Sequence, residues 1–138
     1  MKKIIHIEDQ IEWRDNVRSA LMLDDSIEPV ISYECVEDFR QANYPSANLY
    51  IFDRHLPDKR GQCPNDESWK TLFDIVNCLH PGIKVPLVIL SSHPPKDWKK
   101  YRNVVDAIRK PQNPQDFDFA GFRNKIETYL GLTSGAVV

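Results

Sequence analysis

Four short, mostly apolar runs in this sequence each end in residues that can do chemistry. Lys3-Ile4-Ile5-His6-Ile7 stops at Glu8-Asp9, and Asn48-Leu49-Tyr50-Ile51-Phe52 runs straight into Asp53. Val85 to Leu90 ends at Ser91-Ser92, and Val104 to Arg109 ends at Lys110-Pro111. Three acids brought together repel one another, so a cation has to share their site. Hard oxygen ligands with the remaining positions left to water suit Mg2+ or Mn2+. A lysine supplies further positive charge, and a serine hydroxyl can donate to an anion. A carboxylate among such groups can act as the nucleophile of phosphoryl transfer and carry an acyl phosphate. Metal and ammonium would then offset the charge on the transferring group.

The elements between these ends must bring them together. The strand-like runs are Lys3–Ile7, Pro29–Tyr33, Asn48–Phe52, Val85–Leu90 and Val104–Arg109. Helical patterns run from Ile11 to Leu23, Cys35 to Ala42, Asp66 or Glu67 to Leu79, and Pro114 to Leu130. A weaker one spans Lys96 to Tyr101, limited by Pro94-Pro95. Ile11, Val17, Ala20, Leu21 and Met22 are the expected buried face of the first helix. Trp69, Leu72, Phe73, Val76 and Leu79 fill that role in the third, which Pro81-Gly82 punctuates. Phe117, Phe122, Ile126 and Leu130 do so in the last, with Gly131 at its C′ position. Five β–α alternations with short connections imply a parallel sheet covered on both faces. In such sheets ligands bind beyond the carboxyl ends of the strands, where the four chemical segments lie.

This set resembles the receiver domain of bacterial response regulators, from about Lys3 to Leu130. The resemblance is carried by Glu8-Asp9, by Asp53-Arg54-His55-Leu56-Pro57 with Gly61, by Ser91 at the end of an apolar strand, and by Lys110-Pro111. It implies an α/β, flavodoxin-like (βα)5 fold with a doubly wound five-stranded parallel sheet of order 2-1-3-4-5. It also implies that Asp53 is the phosphoacceptor. Asp9 would be a direct metal ligand, Glu8 a ligand through water, and the backbone carbonyl of His55 a third protein ligand beside Asp53. Ser91 would hydrogen-bond the phosphoryl group and move toward it. Lys110 would pair with it, and a cis Lys110–Pro111 bond is expected. His55 and His93 would flank the path of the water that hydrolyses the acyl phosphate.

The chain departs from the family pattern in three places. Gln62 to Ser68 reads as an insertion beside the acceptor. Ser92 to Val104 is short for a full fourth helix. Ala107 stands where many receivers keep Tyr or Phe as a rotating reporter, so the usual coupling to the output face is weakened.

Composition fits this frame. The chain has 138 residues, 41% hydrophobic and 28% charged, with a formal net charge of -2. Residues 1–132 are expected to form one receiver domain and 133–138 a tail. Dispersed Lys and Arg give no basic surface for nucleic acid. No apolar stretch reaches the roughly 20 residues that cross a bilayer. Lys2-Lys3 followed by a short strand does not read as a leader, so a cytoplasmic location is expected. The three cysteines, Cys35, Cys63 and Cys78, are expected as reduced thiols.

The leading expectation is a phosphoacceptor switch rather than an enzyme. A sensor histidine kinase or phosphotransfer protein would supply the phosphoryl group, and output would run through contacts with a downstream protein. The alternative is a phosphorylation-independent pseudo-receiver interaction module. A metal-dependent phosphatase with an aspartyl nucleophile is a third reading. Those enzymes place a second acid two residues after the nucleophile, where this chain has His55.

Overall fold

The structure, a computed structural model, describes residues 1–79 and 84–132. Pro81-Gly82 and the proposed 133–138 tail lie outside the described residues. In chain order the elements are β1 (Ile4–Ile7), α1 (Ile11–Leu21), β2 (Ile31–Tyr33), α2 (Val36–Gln41), β3 (Leu49–Phe52) and α3 (Ser68–Leu79). They continue with β4 (Leu87–Ser91), a 3-10 turn (Trp98–Lys100), β5 (Val104–Arg109), a second 3-10 turn (Pro114–Asp116) and α4 (Phe119–Tyr129). The strands form one parallel sheet of order β2-β1-β3-β4-β5, as expected.

Alternation along the strands divides the core between two faces. Ile5, Ile7, Tyr50, Phe52, Leu87 and Ile89 pack toward α2 and α3, against Phe39, Trp69, Leu72 and Val76. Ile4, Leu49, Ile51, Val88 and Leu90 pack toward α1 and α4, against Val17, Leu21, Phe122 and Ile126. The central strands are buried on both faces, which explains their nearly continuous apolar runs.

Several expected boundaries are corrected. α1 ends at Leu21, and its buried residues are Trp13, Val17, Ala20 and Leu21, while Ile11 and Met22 are 62% and 56% exposed. At 100° per residue, Trp13 and Val17 are one turn apart on the inward stripe and Ile11 is off it. β2 begins at Ile31, two residues past Pro29. α2 is trimmed to Val36–Gln41, and α3 starts at Ser68 with Leu79 mostly out of the core. The last helix starts at Phe119, because Asn113 and Asp118 cap separate turns. The Asn113 side chain accepts from Gln115 N at 3.1 Å and that of Asp118 from Gly121 N at 2.9 Å.

Gly131 does close α4 as expected, with φ +74°. Leu132 N donates to Glu127 O and Gly131 N to Thr128 O, the paired bonds of a Schellman ending.

The fourth crossover carries no α-helix, only the turn Trp98–Lys100. Pro94-Pro95 removes two backbone donors, and the short span before Val104 leaves no room to recover them. Trp98 and Tyr101 cover that part of the sheet instead, with Tyr101 edge-on to Trp69 at 4.6 Å and to Phe73 at 5.3 Å.

Candidate functional site

Register assembles the site. Ile7 pairs with Phe52, so Glu8 and Asp53 leave the sheet side by side. Backbone bonds extend the alignment one step past the strands: Glu8 N to Tyr33 O, Asp53 N to Ile7 O and Lys110 N to Ser91 O, at 2.9, 3.2 and 2.9 Å. One ligand oxygen each from Glu8, Asp9 and Asp53 lie within 4.8 Å of one another. Glu8 and Asp53 are buried, at 0% and 6% exposure.

Lys110 reaches into this cluster. Its Nζ donates to Glu8 Oε1 at 2.5 Å and to Asp53 Oδ2 at 2.9 Å. Backbone donors hold the remaining oxygens. Gln10 N donates to Glu8 Oε2 and His55 N to Asp53 Oδ1, both at 3.1 Å. With all three carboxylates ionised, one ammonium would leave two negative charges uncompensated. Burial pushes the Glu8 carboxyl up to about 8, the Asp53 charge adds to this, and Lys110 opposes it. Burial pulls the Lys110 ammonium down, but the charges of Glu8 and Asp53 outweigh that and raise it overall. This donor set of closely spaced hard oxygens with uncompensated charge fits a divalent cation such as Mg2+ or Mn2+.

Asp53 faces a cavity of about 260 Å3, whose walls include Asp9, Trp13, His55, Pro64, Ser92 and Lys110. Ser91 is fully buried, its Oγ accepting from His93 N at 3.4 Å, and the neighbouring Ser92 lines the cavity. The Lys110–Pro111 bond is trans, since no cis peptide occurs among the described residues. The expected cis bond is therefore corrected: trans is the intrinsically preferred isomer, and from it the lysine already reaches both acids.

The rings of His55 and His93 lie edge to face, with centroids 5.9 Å apart. His55 Nδ1 lies 2.5 Å from Asp66 Oδ1. The segment read as an insertion therefore folds back over Asp53, with Pro64 in the cavity wall. Arg54 Nη1 donates to His93 O at 3.1 Å and Arg109 Nε to Ser92 O at 3.3 Å. The chain neighbours of Asp53 and Lys110 thus hold the loop after β4. Half-buried Ala107 borders an open groove of about 790 Å3 beside Pro94, Pro95 and Trp98.

Sequence reasoning missed four residues here. Asp66 falls at a helix start and within the Gln62–Ser68 insertion, and neither placement pairs it with His55. Trp13 is not among the residues expected on the buried face of the first helix, although it is buried there. Arg14, whose Nη1 donates to Glu8 O at 2.8 Å, gave no signal. His6 is fully buried beneath the site, and neither ring nitrogen has a hydrogen-bond partner. Burial, helped by Lys110 and Arg14, pulls it down to about 3 and keeps it neutral.

Solved structures share this architecture. The chain is similar over 95% of its length to a CheY-like response regulator receiver domain protein from Methanospirillum hungatei JF-1, covering 94% of that chain at TM-score 0.69 and 19% identity. It is similar over its whole length to the Mn2+-bound form of response regulator Rcp1, covering 99% of that chain at TM-score 0.69 and 20% identity. It is also similar to the phosphorylated cyanobacterial phytochrome response regulator RcpA, with 97% of this chain and 96% of that one covered, TM-score 0.69 and 21% identity. No protein-family model and no curated protein matches the sequence. At these identities the likeness establishes the fold, which is the CheY-like receiver fold of response regulators.

Proposed function

We propose that this chain is a phosphoacceptor switch, taking a phosphoryl group onto Asp53 from a histidine kinase or phosphotransfer protein. The observation that carries this reading is the placement of Asp53 between Lys110 and the acids Glu8 and Asp9. Glu8, Asp9 and Asp53, with the His55 carbonyl, would hold Mg2+ or Mn2+, which when bound offsets charge on the transferring group. A carboxylate oxygen of Asp53 attacks phosphorus, the bond to the donor breaks, and the donor leaves with its electron pair. Lys110 Nζ donates to Asp53 Oδ2 at 2.9 Å, and its ammonium would pair with the phosphoryl oxygens after the reaction. The reaction is self-catalysed and serves signalling rather than turnover of a substrate. Output runs through contacts with another protein, in a cytoplasmic setting.

Incubation with Mg2+ and acetyl phosphate, read by intact mass, tests the reading. It expects one added phosphoryl group, absent in Asp53→Asn and without divalent cation. No mass gain in the wild type would refute it. The missing helix of the fourth crossover and Ala107 favour a second reading, a phosphorylation-independent interaction module. That reading takes over if the mass does not change.

A further inference from the structure

We propose that Trp13 is a positioning residue for Lys110, and that it passes displacement of the Lys110 ammonium on to the aromatic segment in front of α4. The second half rests on the phosphoacceptor reading above; the first half does not.

The ammonium has three donors on a flexible four-carbon stem. Glu8 Oε1 and Asp53 Oδ2 take two of them. The remaining side faces the indole of Trp13, with Nζ 5.1 Å from a ring centroid. A cation over an indole is attracted to its electron-rich face, most strongly where water is excluded. Trp13 is 4% exposed and Lys110 is 5% exposed, so water is nearly absent from this contact.

The indole cannot turn away easily. Phe117 meets it edge-on at 5.4 Å and Phe119 lies against it at 5.9 Å. Phe117 also packs against Phe119 at 4.8 Å and Phe122 at 5.6 Å. Arg14, the next residue of α1, holds the Glu8 carbonyl. One turn of α1 therefore holds the Glu8 backbone and meets the lysine that pairs with the Glu8 side chain.

A new anion on Asp53 would draw Nζ away from Glu8 and across the indole. Trp13 is wedged between that ammonium and the start of α4, so the shift has to be absorbed by Phe117 and Phe119. The route leads to the α1–α4 side of the sheet, away from Ala107.

NMR of the full chain tests both halves. In the metal-free wild type the Lys110 Hε protons should be shifted upfield by the indole ring current. Trp13→Leu should abolish that shift and Trp13→Phe should keep part of it. Trp13→Leu should also slow phosphorylation by acetyl phosphate about tenfold, with Trp13→Phe recovering most of the rate. Adding Mg2+ and fluoroberyllate to the wild type should move the Trp13 indole and Phe117 resonances. No upfield shift in the wild type overturns the positioning role, as does an unchanged phosphorylation rate in Trp13→Leu. If Trp13→Leu does not fold, the wild-type ring-current shift and the Trp13→Phe rate decide. A Lys110 signal that moves with fluoroberyllate while Trp13 and Phe117 stay still overturns the transmission. If the wild type gains no mass with acetyl phosphate, the phosphoacceptor reading and the transmission fall together, and the ring-current shift still decides the positioning role.

Discussion

Glu8 and Lys110 are joined across the sheet although β3 and β4 lie between their strands, with Nζ 2.5 Å from Oε1 in a fully buried contact. The bond ties the first strand end to the last. Such a pair is costly to break one-sidedly, because the remaining charge is left without water or partner.

Lys110→Met should therefore destabilise the metal-free protein by about 3 kcal/mol at pH 8 and by clearly less at pH 5.5. The sign follows from Glu8, whose folded-state value is raised to about 8. A raised carboxyl favours folding below its unfolded value and loses that contribution as pH rises through the folded value. Without Lys110 the rise is steeper, so the variant suffers most where Glu8 must ionise. Urea denaturation at the two pH values checks this; an equal loss at both contradicts it.

Divalent cation should raise the melting temperature, and a chelator should reverse the gain. The gain should be larger at pH 8 than at pH 6, because at pH 6 the metal has to displace the proton that metal-free Glu8 retains. Asp9→Asn should remove most of it. A melting temperature indifferent to Mg2+ and Mn2+ at pH 8 would exclude the ligand set.

His6 makes the protein acid-sensitive. Its folded-state value near 3 lies below the ordinary 6.5, so between these values the unfolded chain takes up a proton that the native state refuses. The contribution is fully present above pH 6.5 and is lost as pH falls, by up to about 1.4 kcal/mol per pH unit. A bound cation would act in the same direction. His6→Leu should lose less stability between pH 7.5 and pH 5 than the wild type does. Parallel losses in the two proteins would refute the assignment.

The two imidazoles beside the acceptor should set how long the phosphoryl group survives. His55→Ala and His93→Ala are expected to change its decay on the order of tenfold, by opening the water path or removing a group that orients water. Asp66→Ala should shift the decay in the same direction as His55→Ala and cost under about 1 kcal/mol of stability, since Asp66 is largely exposed. Decay rates that match the wild type in all three would sink the idea.

Asp53, the acids Glu8 and Asp9, and Lys110 were legible because each closes an apolar run, and parallel register carries such endings to one edge. Strand order was legible only through the resemblance. Trp13 was not, since its meaning depends on Lys110, 97 positions further on, meeting the inward face of α1. The apolar Ile11 drew the expected stripe to the wrong side of that helix. The fourth crossover defied the helical period of Lys96–Tyr101 because two prolines and a short span outweigh local propensity. Asp66 looked like a helix start, and only the folded loop brings it to His55.

That loop changes what can reach Asp53. With Pro64 in the wall of a cavity of about 260 Å3 and Asp53 6% exposed, this carboxylate is recessed rather than displayed. On the phosphoacceptor reading, a donor would have to reach Asp53 past the loop at residues 62–68. A compact donor such as acetyl phosphate would pass by size alone, whereas a phosphohistidine on a protein would need a protruding contour. On that reading the loop at residues 62–68 would act as a sieve on the partner's shape, a filter set by steric fit.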